Sequence, residues 1–85
     1  MEGLNAVVIK KHRGIYRSDN TQVQKQEHES VEFQGNKLQD LLGKLDLDLS
    51  SIGMVIVNGR VAVDFEKTIV HGGDKIELYP HLMGG

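Results

Sequence analysis

The period of hydrophobic positions changes several times along the chain, and each change marks an element. Leu4 to Lys11 carries the run Ala6-Val7-Val8-Ile9 and ends on two lysines. Its length and β-branching predict a strand covered on at least one face. The stretch 12–30 has little pattern. Gly14 marks a bulge or turn, Ser18-Asp19-Asn20-Thr21 is a turn cluster, and Val23 to Ser30 is almost wholly polar. Val31 and Phe33 then alternate with Glu32, as in a half-buried strand. Together these predict a hairpin of two arms with a long, mobile tip.

From Asn36 to Leu45 the period becomes helical. Leu38, Leu41, Leu42 and Leu45 fall at i, i+3, i+4 and i+7 and form one apolar stripe. Asn36 is the expected N-cap, with Gln39 three residues on as its capping-box partner. Gly43 weakens a helix by about 1 kcal/mol relative to alanine, so close packing is expected there. Asp46-Leu47-Asp48-Leu49 alternates, and Ser50-Ser51 marks a loop. Gly53 to Val57 is a short apolar strand, and Asn58-Gly59 is the strongest local hairpin signal, leading into Arg60-Val61-Ala62-Val63. Phe65 and Ile69 are apolar anchors in the next connection. His71-Gly72-Gly73-Asp74 is a tight turn. Lys75 to Tyr79 alternates with Ile76 and Leu78 facing inward, and Pro80, lacking an N–H, is expected to end the pairing. The order predicts an α+β domain, a mixed sheet of four to five strands against one main helix. Residues 1–80 form the expected domain, and 81–85 a flexible tail.

Composition narrows the chemistry more than the fold. The chain has 85 residues, 39% hydrophobic and 26% charged, with net charge −2. That suits one small globular domain and gives no global reason to expect nucleic acid or an anionic membrane as partner. There is no cysteine, which excludes disulfides, thiolate metal sites and a cysteine nucleophile. The longest apolar run, Met54 to Val57, is far too short to span a bilayer, and Met1-Glu2-Gly3 lacks the start of a signal peptide. A soluble, cytoplasmic protein is therefore expected. His12, His28, His71 and His81 lack metal-ligand spacing. Gly72-Gly73 is not followed by the Lys-Ser/Thr of a phosphate-cradling loop. Asp74 serves its turn and Glu77 the outer face of its strand, and neither is read as a catalytic acid. Lys10, Lys11, Arg13 and Arg17 form a basic cluster, read either as a contact for an acidic partner or as a solvated loop.

What remains is the end of the chain. Glycine supplies about 7% of residues, so a Gly-Gly end arises in roughly 0.5% of chains by chance, and a frayed terminus is the plain alternative. Yet two glycines present a bare carboxylate on thin backbone. Five extended residues beyond Pro80 reach about 16–18 Å, enough to enter a deep site on another protein.

The order of motifs here resembles the ubiquitin-like β-grasp proteins, and from residue 54 onward the ThiS and MoaD sulfur-carrier family. The residues that carry the resemblance are Val57-Asn58-Gly59, Gly73-Asp74-Lys75-Ile76 leading into Leu78-Tyr79-Pro80, and Gly84-Gly85. It implies a carrier without a permanent cofactor and without catalytic residues of its own. An adenylating, ubiquitin-activating-like enzyme would use ATP to activate the Gly85 carboxylate, and a persulfide donor would convert it to a thiocarboxylate. Gly84, Met83 and Leu82 would thread into the partner, and Tyr79, Val61 and Arg60 would face it; for Tyr79 and Val61, ordinary sheet packing is the alternative. The sulfur recipient would lie in cofactor biosynthesis. The Tyr79-Pro80 step and the chain length favour the small subunit of molybdopterin synthase, acting with its large subunit. A thiamine-pathway carrier, delivering to a thiazole synthase, is the alternative branch, since His81-Leu82-Met83 departs from the small, proline-rich residues usual in the first. A lysine-conjugating modifier and a plain interaction module complete the possibilities.

Overall fold

The computed structural model describes residues 6–34 and 36–81. The final residues Leu82, Met83, Gly84 and Gly85, and with them most of the expected tail, lie outside this range.

Among the described residues five strands and one helix follow in the order β1 (Ala6–Lys11), β2 (Glu27–Glu32), α1 (Leu38–Lys44), β3 (Ile52–Val57), β4 (Arg60–Val61) and β5 (Lys75–Pro80), with a single 3-10 turn at Leu49–Ser51 before β3. The strands form one mixed sheet in the order β2-β1-β5-β3-β4. β1 pairs antiparallel with β2 and parallel with β5, while β5 and β4 both pair antiparallel with β3. One helix on one mixed sheet is the α+β, ubiquitin-like β-grasp arrangement that the hydrophobic pattern and the resemblance predict. The inward residues Val7, Ile9, Val55, Ile76 and Leu78 pack with Leu38, Leu41 and Leu42 of α1 into one core.

The helix is shorter than its leucine period implies, and its start is built differently. It begins at Leu38 with Lys37 in the cap position and no side-chain capping bond. Backbone from the later connection replaces the expected Asn36–Gln39 box. The Leu38 N–H donates to the Thr68 carbonyl (2.9 Å) and the Gln39 N–H to the Phe65 carbonyl (3.1 Å), while the Asn36 carbonyl accepts from Val70 N–H (2.7 Å). The orphan donors of the first turn are thus satisfied by tertiary contacts. That contact also moves the anchor of the 65–70 connection. Phe65 packs partly against the core, but Ile69 is 46% exposed and Val70 is the buried residue.

Gly43 serves no packing purpose. A β-carbon built on it meets nothing within 4 Å. Gly43→Ala should therefore raise stability by roughly 1 kcal/mol. The check is a higher urea midpoint at unchanged denaturant slope.

The stretch 12–30 departs most from expectation. Its two arms do pair, as β1 and β2, but the tip folds back into a second, smaller hairpin. Gly14 N–H donates to the Val23 carbonyl (2.9 Å), Val23 N–H to the Ile15 carbonyl (2.8 Å) and Arg17 N–H to the Thr21 carbonyl (2.7 Å). Ile15 and Val23 are wholly buried in the core. The turn is held by Asp19, whose carboxylate accepts from both the Thr21 N–H (3.0 Å) and the Thr21 hydroxyl (2.6 Å). Half of the basic cluster is neutralised internally: Lys11 lies 2.8 Å from Glu29, and Arg17 pairs with Glu27.

Downstream, the hairpin signal is realised. Asn58 and Gly59 both have positive φ, 51° and 85°, as a type I′ turn requires. Asn58 also locks the adjacent turn that leads into β5: its side-chain amide donates to Asp74 (2.9 Å), and its side-chain oxygen accepts from Lys75 N–H (2.9 Å). Asp74 in turn accepts from His71 N–H (2.8 Å), the turn role read from sequence. Among the described residues no helix is long and apolar enough to cross a membrane.

Candidate functional site

Register assigns the residues of the sheet to two faces. Partners across a ladder point the same way, and neighbours along a strand point oppositely. Val55 opposite Leu78 belongs to the core face, so Met54 opposite Tyr79, and Ile56 opposite both Glu77 and Val61, belong to the other. No element among the described residues covers this second face with a helix. Val61 is 56% exposed and Met54 37%.

Tyr79 and Val61 therefore come together on this face. They line a shallow groove of about 680 Å³ with Met54, His12, Pro80 and His81. Val61 lies outside the core and Tyr79 is half-buried in the sheet, where each also makes ordinary sheet contacts. Arg60 lies differently. It is paired with Val57, on the opposite side of β4 from Val61, and lines a neighbouring depression of about 520 Å³ with Asn58, Ala62 and Thr68. Val61 borders both hollows. Leu82, Met83, Gly84 and Gly85 lie outside the described residues, as does any geometry at the carboxylate.

Two contributors escape sequence reading. Met54 is one of four apolar residues in a row, and only the register separates it from the buried Val55. His12 lies just past β1, which runs parallel to β5, so its ring stacks on that of Tyr79 with centroids 3.9 Å apart and planes 14° from parallel. Its Nε2 is 3.3 Å from Glu77, and the Tyr79 hydroxyl donates to the same Glu77 oxygen (2.9 Å). The site thus has an apolar floor and one fixed polar corner. Among the described residues no cluster of three or more His, Asp or Glu is placed to hold a metal.

The polar corner sets a pH dependence. The hydrogen bond from Tyr79, then that from His12, holds the Glu77 carboxyl below its ordinary value of 4.5. The same contact holds the Tyr79 hydroxyl above its ordinary range, mainly because Glu77 binds its proton. A carboxylate with a depressed folded pKa contributes stability above the unfolded pKa and loses it as pH falls through the folded one. Tyr79→Phe removes the larger cause. The variant should lose stability at neutral pH and show a shallower acid limb than the wild type, with the two curves meeting below the carboxylate range. Urea midpoints measured from neutral pH downward check this.

The family model described as the ThiS family matches residues 18–85. The matched region contains α1 and β2 through β5 and runs on through Gly84-Gly85, leaving β1 outside. No curated protein and no solved structure matches the chain.

Proposed function

The chain belongs to the ThiS family, and on that premise we propose that it is a sulfur carrier whose reactive group is the Gly85 carboxylate. The observation that carries this reading is the reach of the family match through Gly84-Gly85. In the proposed cycle a carboxylate oxygen of Gly85 attacks the α-phosphorus of ATP on an adenylating partner. The bond to pyrophosphate breaks, leaving an acyl-adenylate. The terminal sulfur of a persulfide donor attacks the acyl carbon and expels AMP. A thiol then cleaves the resulting acyl disulfide, which leaves the thiocarboxylate on Gly85 and a disulfide on the donor. The thiocarboxylate sulfur attacks an electrophilic carbon of a biosynthetic substrate, and water then cleaves the acyl–sulfur bond, leaving sulfur on the substrate and restoring the Gly85 carboxylate. The protein acts as a cosubstrate, and the catalytic groups belong to its partners.

The open sheet face supplies the docking surface in this reading. Its apolar strip, Tyr79-Met54-Val61, is bordered by Pro80 and His81 at the end of β5, so one partner can grip the face and receive Leu82, Met83, Gly84 and Gly85. Arg60, on the adjoining hollow, contributes at the rim, where charge acts mainly on encounter. The pathway proposed first is molybdopterin synthesis, from the Tyr79-Pro80 step, with the thiamine branch second.

Intact-protein mass decides the chemistry. Incubation with ATP, an adenylating enzyme of the ubiquitin-activating type and a persulfide donor should replace one oxygen of the protein by sulfur. Adducts on lysines of other proteins would instead make the chain a modifier. An unchanged mass with the adenylating enzymes of both branches would overturn the carrier reading.

A further inference from the structure

Pro80 does not end the sheet. β5 includes it, and it pairs with Ile52 across β3. The register slips between Ile52 and Met54, so that Gly53 is the extra residue of a bulge facing the Tyr79-Pro80 step. Gly53 has no room for a side chain. A β-carbon there would stand 2.7 Å from the His81 α-carbon, 2.9 Å from the His81 nitrogen and 2.9 Å from the Pro80 carbonyl oxygen, all of them backbone. Gly14 closes the other side. It follows the His12 N–H that donates to the Leu78 carbonyl (3.0 Å), has φ of +106°, and would place a β-carbon 3.0 Å from the Pro80 ring. A third contact holds His81 itself. The His81 Nε2–H donates to the Ser50 carbonyl (2.9 Å). Ser50 sits in the 3-10 turn Leu49–Ser51, and that turn is capped by the Asp48 carboxylate accepting from Ser50 N–H (3.1 Å).

We propose that Gly14 and Gly53 form a slot that grips Pro80-His81 and, with the His81–Ser50 bond, fixes the chain as far as His81 beside the apolar groove. Both glycines are positioning residues for the carrier chemistry. The slot rests on the reading of Gly84-Gly85 as the reactive end. A chain held as far as His81 has already lost part of the orientational freedom that docking removes, and preorganisation of this kind lowers the cost of association. Once the end is seated, the chemical step is the same. Loss of the slot therefore raises KM for the carrier and leaves kcat nearly unchanged.

The test has two readouts on the full chain, one free of any partner. In the wild type the imidazole nitrogen shifts of His81 should report the Nε2–H tautomer held by Ser50. Gly53→Ala should return those shifts to the solvent-averaged pattern. With an adenylating enzyme that activates the wild type, it should also raise KM by roughly tenfold at similar kcat. His81→Ala, an exposed position, should raise KM without unfolding the domain, and His81→Gln, which keeps a donor, should recover part of the loss. Gly43→Ala, with nothing near its β-carbon, should change neither readout. If Gly53→Ala fails to fold, the His81 pair decides. Wild-type His81 shifts and KM in Gly53→Ala, or wild-type KM in His81→Ala, would overturn the slot. Failure of the wild type itself to be adenylated would overturn the carrier reading, and the imidazole shifts would then judge the slot as a structural feature.

Discussion

Deleting Gly85 should abolish thiocarboxylate formation while leaving the domain as stable as before. One residue of extended chain spans about 3.3–3.6 Å. Without Gly85 the carboxylate of Gly84 would stop short of the α-phosphorus by that length. Reacting atoms must approach to about 3–3.5 Å, and a misplacement of 1 Å already costs on the order of 10²-fold. The partner cannot recover the distance by drawing the chain forward, because Pro80 pairs within the sheet and is flanked by Gly14 and Gly53. The expected loss is thus greater than 10²-fold in single-turnover conversion, read by intact mass. Thermal and urea midpoints should be unchanged, since β5 ends at Pro80 and the core residues all lie upstream. A residue appended after Gly85 should be equally inactive for a different reason: it turns the carboxylate into an amide, which has no anionic oxygen to attack phosphorus. Conversion surviving in both variants would exclude Gly85 as the acceptor.

What the sequence disclosed about this protein depended on how local each interaction is. Asn58-Gly59 was legible because the turn it specifies lies within the two residues themselves, and their positive φ values bear it out. The Ile76 and Leu78 alternation was legible for the same reason. The helix stripe disclosed which leucines face inward but not where the helix starts, because its first N–H groups are satisfied by carbonyls of Phe65 and Thr68, more than twenty residues away. Ile15 and Val23 were hidden differently. Each is a lone apolar residue in a polar stretch, so no period exists to detect. Their burial follows from a turn at Asp19-Asn20 that brings them together. On the open face, Val61 and Tyr79 were singled out by their place in motifs, whereas His12 and Met54 join them only through the parallel pairing of β1 with β5 and the bulge at Gly53. Pro80 misled because the missing N–H was read as an end to pairing. The bulge accommodates it instead: the register shifts by one residue at Gly53, and Pro80 still pairs with Ile52 before His81 reaches Ser50.

Leu41→Ala should destabilise the domain strongly. Leu41 is wholly buried in α1 against the sheet. Truncating a buried leucine costs about 2–5 kcal/mol, the transfer loss plus the cavity left behind. A domain of this size is held by only about 4–13 kcal/mol in total, at the usual 0.05–0.15 kcal/mol per residue. The upper half of that cost is favoured here. The helix has seven residues and contributes Leu38, Leu41 and Leu42 to the core, so the cavity opens in the middle of its whole contact face. Collapse to fill it would pull on the Thr68 and Phe65 carbonyls that cap the helix. The loss should appear as a lower urea midpoint and as faster amide exchange that extends beyond α1 into residues 65–70. The open face lies on the other side of the sheet, so the Tyr79–His12 stack should persist in the folded fraction. Carrier activity, corrected for that fraction, should then equal the wild type. Gly43→Ala, two residues along the same helix, has the opposite sign because its β-carbon points into open space. Combining the two should recover about 1 kcal/mol of the Leu41→Ala loss. A smaller recovery would mean that α1 is already frayed at Gly43 once its central leucine is gone.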